Sequence, residues 1–204
     1  MAAQDYATVA EVKLYAGISG TDDDTIIASL ITDVSREIDK LCHRHFYSKT
    51  ETRYYDFQDH WRLVLDTDLI SVATFTNGDG NVLVLDTDFY AYPLNGPPYR
   101  RLYIRQDVGK LFQWSGTAQK AISIAGTWGY LEDGETPYPI RRACRGWCTF
   151  LRNTAADLGI SREKMGDYEI ALNFFILSQI REAPPGDVAL IIREYTRRNY
   201  WNKF

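Results

Sequence analysis

Three histidines and three cysteines are the only side chains here that supply imidazole or thiolate chemistry, and half of them stand together in "CHRHF" at 42–46. Cys42, His43 and His45 offer a thiolate and two imidazoles to a transition metal, whereas structural zinc needs four ligands. Spacing decides how many can converge. In a helix, His43 and His45 point to opposite sides and only Cys42 and His45 share a face. In an extended chain the two histidines share a face and Cys42 turns away. Either set is incomplete and would have to borrow His60 or Asp56 from a distance. No metal is therefore expected. The competing reading is architectural: Leu41 and Cys42 close an apolar stripe, and His43, Arg44 and His45 offset the negative end of a helix.

Carboxylates are the next candidates. The run Val-Leu-Asp-Thr-Asp occurs at 64–68 and again at 84–88, which presents Asp66, Asp68, Asp86 and Asp88. Two carboxylates flanking a glycosidic bond would suffice for sugar hydrolysis. The simpler expectation is that each run is a strand ending in a turn, where Asp and Thr bond their own backbone. Cys144 and Cys148 are four apart on the same helical face as Ile140, Ala143, Trp147 and Leu151, where a free thiol acts as a small hydrophobe. The sequence has no G-x-S-x-G, no Walker phosphate loop and no G-x-G-x-x-G. "GTWGY" at 126–130 follows a strand but leads into a proline-containing loop, so it lacks the helix start that holds phosphate. No catalytic residue, metal or cofactor is expected.

The elements that would carry these residues are legible in the periodicity. "TVAEVKLYAGI" predicts a short helix with a capping box, Thr8 and Glu11, and a stop at Gly17. A second helix is predicted from Thr21 as N-cap, with Asp22, Asp23 and Asp24 at its positive end. Ile27, Leu30, Ile31, Val34, Ile38 and Leu41 form its apolar stripe. From about Tyr54 to Tyr130 the pattern shortens and alternates: "RYYDF", "RLVLDT", "ISVATFT", "NVLVLDTDFYAY", "RRLYIRQ" and "KAISIAGTW" predict about six strands. "NGDG" at 77–80 is a hairpin signal. Helical period returns at Ile140, continues in "MGDYEIALNFFILSQIREA", and closes with "VALIIREYTRR", for which Asp187 is the predicted cap. The fold class expected is α+β: a helical bundle from both chain ends, 1–49 and 137–204, with an antiparallel β-sheet or small barrel inserted at 50–136.

A chain of 204 residues with 45% hydrophobic residues can bury a sizeable core without a metal or disulfide. Its net charge of −4 argues against broad nucleic-acid binding. Three cysteines in no framework spacing suggest reduced thiols. The opening has no basic stretch followed by an apolar one, and no apolar run reaches the ~20 residues of a membrane span. A soluble protein made in the cytoplasm is expected. At the C-terminal end, Tyr195, Arg197, Arg198, Tyr200, Trp201 and Phe204 mix arginine with aromatics. They fit an arm that docks on another protein, since these residue types are favoured in interface cores.

In order along the chain, four segments resemble the head–tail connector (adaptor, or head-completion) proteins of tailed bacteriophages, in a longer form with an inserted β domain. They are "YATVAEVKLYAGI" followed by "DDDTIIASLITDVSREIDKLCHRHF", then "IAGTWGYLEDGETPYPIRRAC", "EKMGDYEI" and "VALIIREYTRR". The chain departs from that pattern before Tyr195, where Ile-Ile-Arg-Glu stands in place of a Leu-x-Pro-Tyr ending. The resemblance implies a structural, non-enzymatic protein of the virion, made in the host bacterial cytoplasm. It implies a homo-oligomeric ring, expected to be dodecameric, with either a ring or a monomer allowed for the free chain. The partners implied are the portal protein on one side and a stopper or tail-completion protein on the other. DNA would pass through the channel without sequence-specific binding, and no membrane is involved. The residues at 195–204 would then form the portal-binding arm. The rival readings are a carbohydrate- or phosphate-acting enzyme using the β-domain aspartates, and a DNA-binding module using the C-terminal arginines.

Overall fold

The computed structural model describes residues 5–157 and 184–197. The chain divides into two compact units, one formed by Met1–His43 with Thr136–Phe204 and the other by Arg44–Glu135. Helices make the first and antiparallel strands the second, so the fold class is α+β.

The helical unit contains α1 (Val9–Ala16), α2 (Asp24–Cys42), α3 (Tyr138–Asp157) and α4 (Gly186–Tyr195). Helix α1 begins with the expected capping box: Thr8 Oγ accepts the Glu11 amide at 3.2 Å and Glu11 accepts the Thr8 amide at 2.8 Å. Gly17 ends it at φ 66°, a left-handed conformation that glycine adopts without penalty. Helix α2 starts later than the sequence suggests. Its N-cap is Asp23, without a side-chain capping bond. The aspartates there are drawn to cations on other helices instead: Asp24 pairs with Lys13 at 2.6 Å and Asp23 with Arg152 at 3.0 Å. The apolar stripe is buried as expected, from Ile27 to Ile38, and it packs on α3, where Ile140, Ala143, Cys144, Trp147, Cys148 and Leu151 are all buried. Each isoleucine, leucine or valine among them contributes about 1.5–3 kcal/mol by leaving water. Buried Ser35 donates to the Ile31 carbonyl and accepts the Tyr6 amide, tying the chain before α1 to α2. Helix α4 begins at Gly186 after Pro185, so Asp187 lies inside its first turn rather than capping it. The helical stretch expected around 165–183 lies outside the described residues.

The β unit is one antiparallel sheet in the order β1-β6-β2-β5-β4, with β3 paired to β2. The strands are β1 (Lys49–Tyr55), β2 (Arg62–Thr76), β3 (Val82–Leu83), β4 (Phe89–Tyr92), β5 (Tyr99–Ile104) and β6 (Ile122–Trp128). Two sequence expectations fail here. "RLVLDT" and "ISVATFT" are a single strand, which pairs with β5 through Val64, then shifts register before Leu69 and pairs with β6. Conversely, "NVLVLDTDFYAY" is not one strand. Asp86 turns left-handed at φ 63°, and Asp88 accepts the Val84 amide at 2.9 Å, which closes a loop between β3 and β4. The "NGDG" signal holds: Asn77–Asn81 turns β2 into β3, with the Asn77 amide on the Asn81 carbonyl. Alternation then sorts the faces. Leu63, Leu65, Phe89, Ala91, Leu102, Ile104, Ile122 and Ile124 fill the core with Phe75, Phe112 and Trp128.

Candidate functional site

The "CHRHF" residues do not converge. Helix α2 ends at Cys42, and His43 is its left-handed cap at φ 52°. The buried Cys42 thiol faces the Ile192 carbonyl at 3.7 Å within the helical unit. His45 belongs to the β unit. Burial, above all, holds its ring below the ordinary imidazole value of 6.5; a hydrogen bond to the Trp128 backbone and the carboxylates of Asp68 and Glu51 pull the other way. His60 is spent on the Phe112 carbonyl at 2.9 Å, and Asp56 accepts the Lys120 amide. No group of three or more His, Cys, Asp or Glu among the described residues is placed to hold a metal ion. Cys144 and Cys148 are free and buried, and the Cys144 side chain, with burial behind it, pushes the Cys148 thiol well above its usual value. That suits packing and disfavours nucleophilic use.

Arg44 was expected to offset the end of α2. It is instead committed to Asp68, which corrects that reading and the turn reading of Asp68 together. Asp68 lies in the middle of β2 with its side chain fully buried, 3.3 Å from the Arg44 guanidinium and 3.9 Å from that of Arg100. Arg44 lies over the Tyr130 ring at 4.5 Å, and the Gly129 amide donates to the Asp68 carbonyl at 2.8 Å. Asp66, also expected in a turn, stays in β2 and accepts from Tyr55 and Arg53. Asp88 is held below the usual carboxylate range, chiefly by Lys110 at 2.8 Å. A paired carboxylate whose proton is more easily lost is the opposite of a general acid. These aspartates are separately engaged and do not form a flanking pair.

At the C-terminal end, the last turn of α2 leaves carbonyls without helical partners, as every helix end does. The segment after α4 supplies the donors. The Arg197 amide donates to the Cys42 carbonyl at 2.8 Å, and the Thr196 hydroxyl reaches the carbonyls of Ile192 at 2.7 Å and Leu41 at 3.5 Å. Arg197 is buried and Tyr195 half-buried, so both are held within the helical unit. Arg198, Tyr200, Trp201 and Phe204 lie outside the described residues.

What the sequence reading missed is on the outer face of the sheet. Tyr90 stands opposite Tyr103, Tyr92 opposite Arg101, and on the next strand Arg62 opposite Tyr103 and Val64 opposite Arg101. The period-two pattern of "FYAY" and "YRRLYIR" carried that signal, because the residues alternating with buried Phe89, Ala91, Leu102 and Ile104 are almost all Tyr or Arg.

Residues 6–76, which span α1, α2, β1 and β2, match the model of the phage gp6-like head-tail connector family. No curated protein matches the sequence. Among solved structures, a chain from the neck of an empty gene transfer agent (GTA) particle, computed with C6 symmetry, aligns with TM-score 0.57 at 13% identity, over 95% of this chain and 91% of that one. A chain from the neck of the native GTA particle, computed with C12 symmetry, aligns with TM-score 0.52 at 12% identity, over 95% and 90%. At these identities the likeness is one of fold, and it extends over nearly the whole of both chains.

Proposed function

We propose that this chain is a head-tail connector and serves as a structural adaptor: a ring that joins a DNA-filled capsid to its tail and leaves a channel for DNA. The observation that carries it is the family match over residues 6–76. The family is one of structural connectors and not of enzymes, which agrees with the pairing of Asp66, Asp68 and Asp88 and the burial of the three thiols. The fold shared with neck chains of a virion-like particle supports a place in the virion. The C6 and C12 symmetries with which those necks were computed favour a ring, and the C12 case is the one a dodecamer would share. The finer reading is that the ring sits beneath the portal after packaging and meets a stopper or tail-completion protein on its other side. Synthesis in the host bacterial cytoplasm completes it.

In this reading the portal-binding arm includes Arg198, Tyr200, Trp201 and Phe204, with Tyr195 and Arg197 as its root. What supports taking Tyr195 and Arg197 as the root is the tie of the Arg197 amide to the Cys42 carbonyl within the helical unit. The test is assembly. The purified chain, alone at high concentration and mixed with the portal of the same particle, is imaged in negative stain. Rings, or rings added to the portal, are expected. A chain that stays monomeric and ignores the portal overturns the proposal.

A further inference from the structure

From Phe89 to Arg105 the sequence has four tyrosines, three arginines and no carboxylate, in a chain with 27 Asp and Glu overall. Strand alternation puts Tyr90, Tyr92, Arg101 and Tyr103 on one outward face with Arg62 from β2. The rings brace one another: Tyr92 and Tyr103 meet edge to face, centroids 4.9 Å apart at 69°, and Arg105 lies over Tyr90 at 5.4 Å. Arg62 and Tyr92 are exposed, and Leu94, just beyond β4, is 60% exposed. Tyr and Arg are residue types enriched in protein–protein hot spots, and here a rigid sheet holds them.

The same unit carries the complementary shape. After β6 the chain makes a two-residue turn, Asp133 at φ 50° and Gly134 at φ 83°. The amide and carbonyl of Glu132 exchange two 2.9 Å hydrogen bonds with those of Glu135. Left-handed conformations at both central residues define the tight hairpin turn that Asp-Gly favours. Glu132, Asp133 and Glu135 are all exposed on it. A short, stiff projection with three carboxylates therefore stands on a chain whose β4 and β5 strands carry tyrosine and arginine and no Asp or Glu, with Asp107 paired to Arg105 beside them.

We infer that the Glu132–Glu135 turn of one copy docks on the Tyr90–Tyr92–Arg101–Tyr103–Arg62 face of a neighbouring copy. The two surfaces are different parts of the chain, so the contact is heterologous, and heterologous contacts that close generate rings. This rests on the adaptor reading and names the surfaces by which the ring would form. A nucleic-acid backbone is the other ligand that arginine and tyrosine suit. It is less favoured because the tyrosines pack edge to face rather than presenting flat rings for base stacking.

The test is a charge exchange in the full chain, read by sedimentation at rising concentration and by ring counts in negative stain. Arg62→Glu with Arg101→Glu is expected to weaken association roughly tenfold or more, by setting like charges against each other. Glu132→Arg with Glu135→Arg, which leaves the Asp-Gly turn intact, is expected to do the same. All four changes together are expected to restore rings. Rings unaffected by either pair, or not restored by the four, overturn the inference while leaving the adaptor reading standing. A wild-type chain that forms no rings, alone or on the portal, overturns both. Thermal melting of each variant separates a lost contact from a lost fold: a pair that only lowers the melting temperature places the contact within one copy and overturns the inference. So does a pair that leaves rings intact but abolishes retention of a duplex DNA probe.

Discussion

Asp68 shows how much one residue can hide. A carboxylate fully out of water is costly unless paired, and Arg44 and Arg100 supply the pairing. Replacing Asp68 by Ala leaves the buried Arg44 charge without its counter-ion, and a loss of about 3–5 kcal/mol is expected in urea unfolding. Arg44→Met with Asp68→Leu removes both charges and should recover most of that loss; an equally unstable double variant would show that the pair is not the source. His45 beside it gives a pH dependence with a definite sign. Its ring is held below 6.5 in the folded state, so the unfolded chain binds the proton more readily. The stability this residue protects is complete above pH 6.5 and drains away as pH falls from there through the folded value. His45→Asn, which does not titrate, should flatten that part of the stability–pH curve; an unchanged slope would assign the dependence to another group. Neither residue could be placed from sequence. Asp66-Thr67-Asp68 has the composition of a turn, and it takes Arg44 and Arg100, both distant along the chain, to make a charged residue tolerable inside a strand.

Elements whose signals are local were legible, and elements decided by distant contacts were not. Thr8-x-x-Glu11 specifies its own cap, and the stripe through Cys144 and Cys148 specifies its own buried face. The length of β2 is different. It depends on two strands pairing with its two halves, and on Gly126 of β6 letting those backbones close up. A β-carbon on Gly126 would come within 2.3 Å of the Ser71 carbonyl oxygen, a backbone atom that cannot swing aside. Gly126→Ala is expected to force β2 and β6 apart and to cost roughly 1–3 kcal/mol, toward the upper end. Amide exchange should quicken in Leu69–Thr76 and Ile122–Trp128 before it does in α2 and α3. Protection loss spread evenly over both units would mean that the glycine is not acting through this strand pair. The hairpin at Asp133 was missed for a simpler reason: it lies in the proline-containing stretch after "GTWGY", where the Asp-Gly turn signal of "LEDGET" went unused.

For the whole molecule, the question is where the folded body stops and the attaching segment starts. The α+β class and the connector resemblance could both be read from segment order, because each helical signal is local; the family match over residues 6–76 covers the first of those segments. The boundary at the C-terminal end could not, since "VALIIREYTRRNYWNKF" changes composition nowhere sharply. The boundary proposed here follows the hydrogen bonds of Thr196 and Arg197, which satisfy carbonyls at the end of α2. Removing residues 198–204 should therefore leave the melting profile of the chain unchanged while abolishing the portal attachment proposed above. Removing residues 196–204 also uncaps Leu41 and Cys42, and an additional loss of about 1–3 kcal/mol is expected. The pair of truncations distinguishes two roles that one deletion would confuse. If the shorter deletion already unfolds the helical unit, the segment beyond Arg197 is part of the core and not an arm. If it leaves both fold and portal attachment intact, the docking surface lies elsewhere on the chain. Only loss of attachment with the fold retained places the function in the residues after the α2 cap.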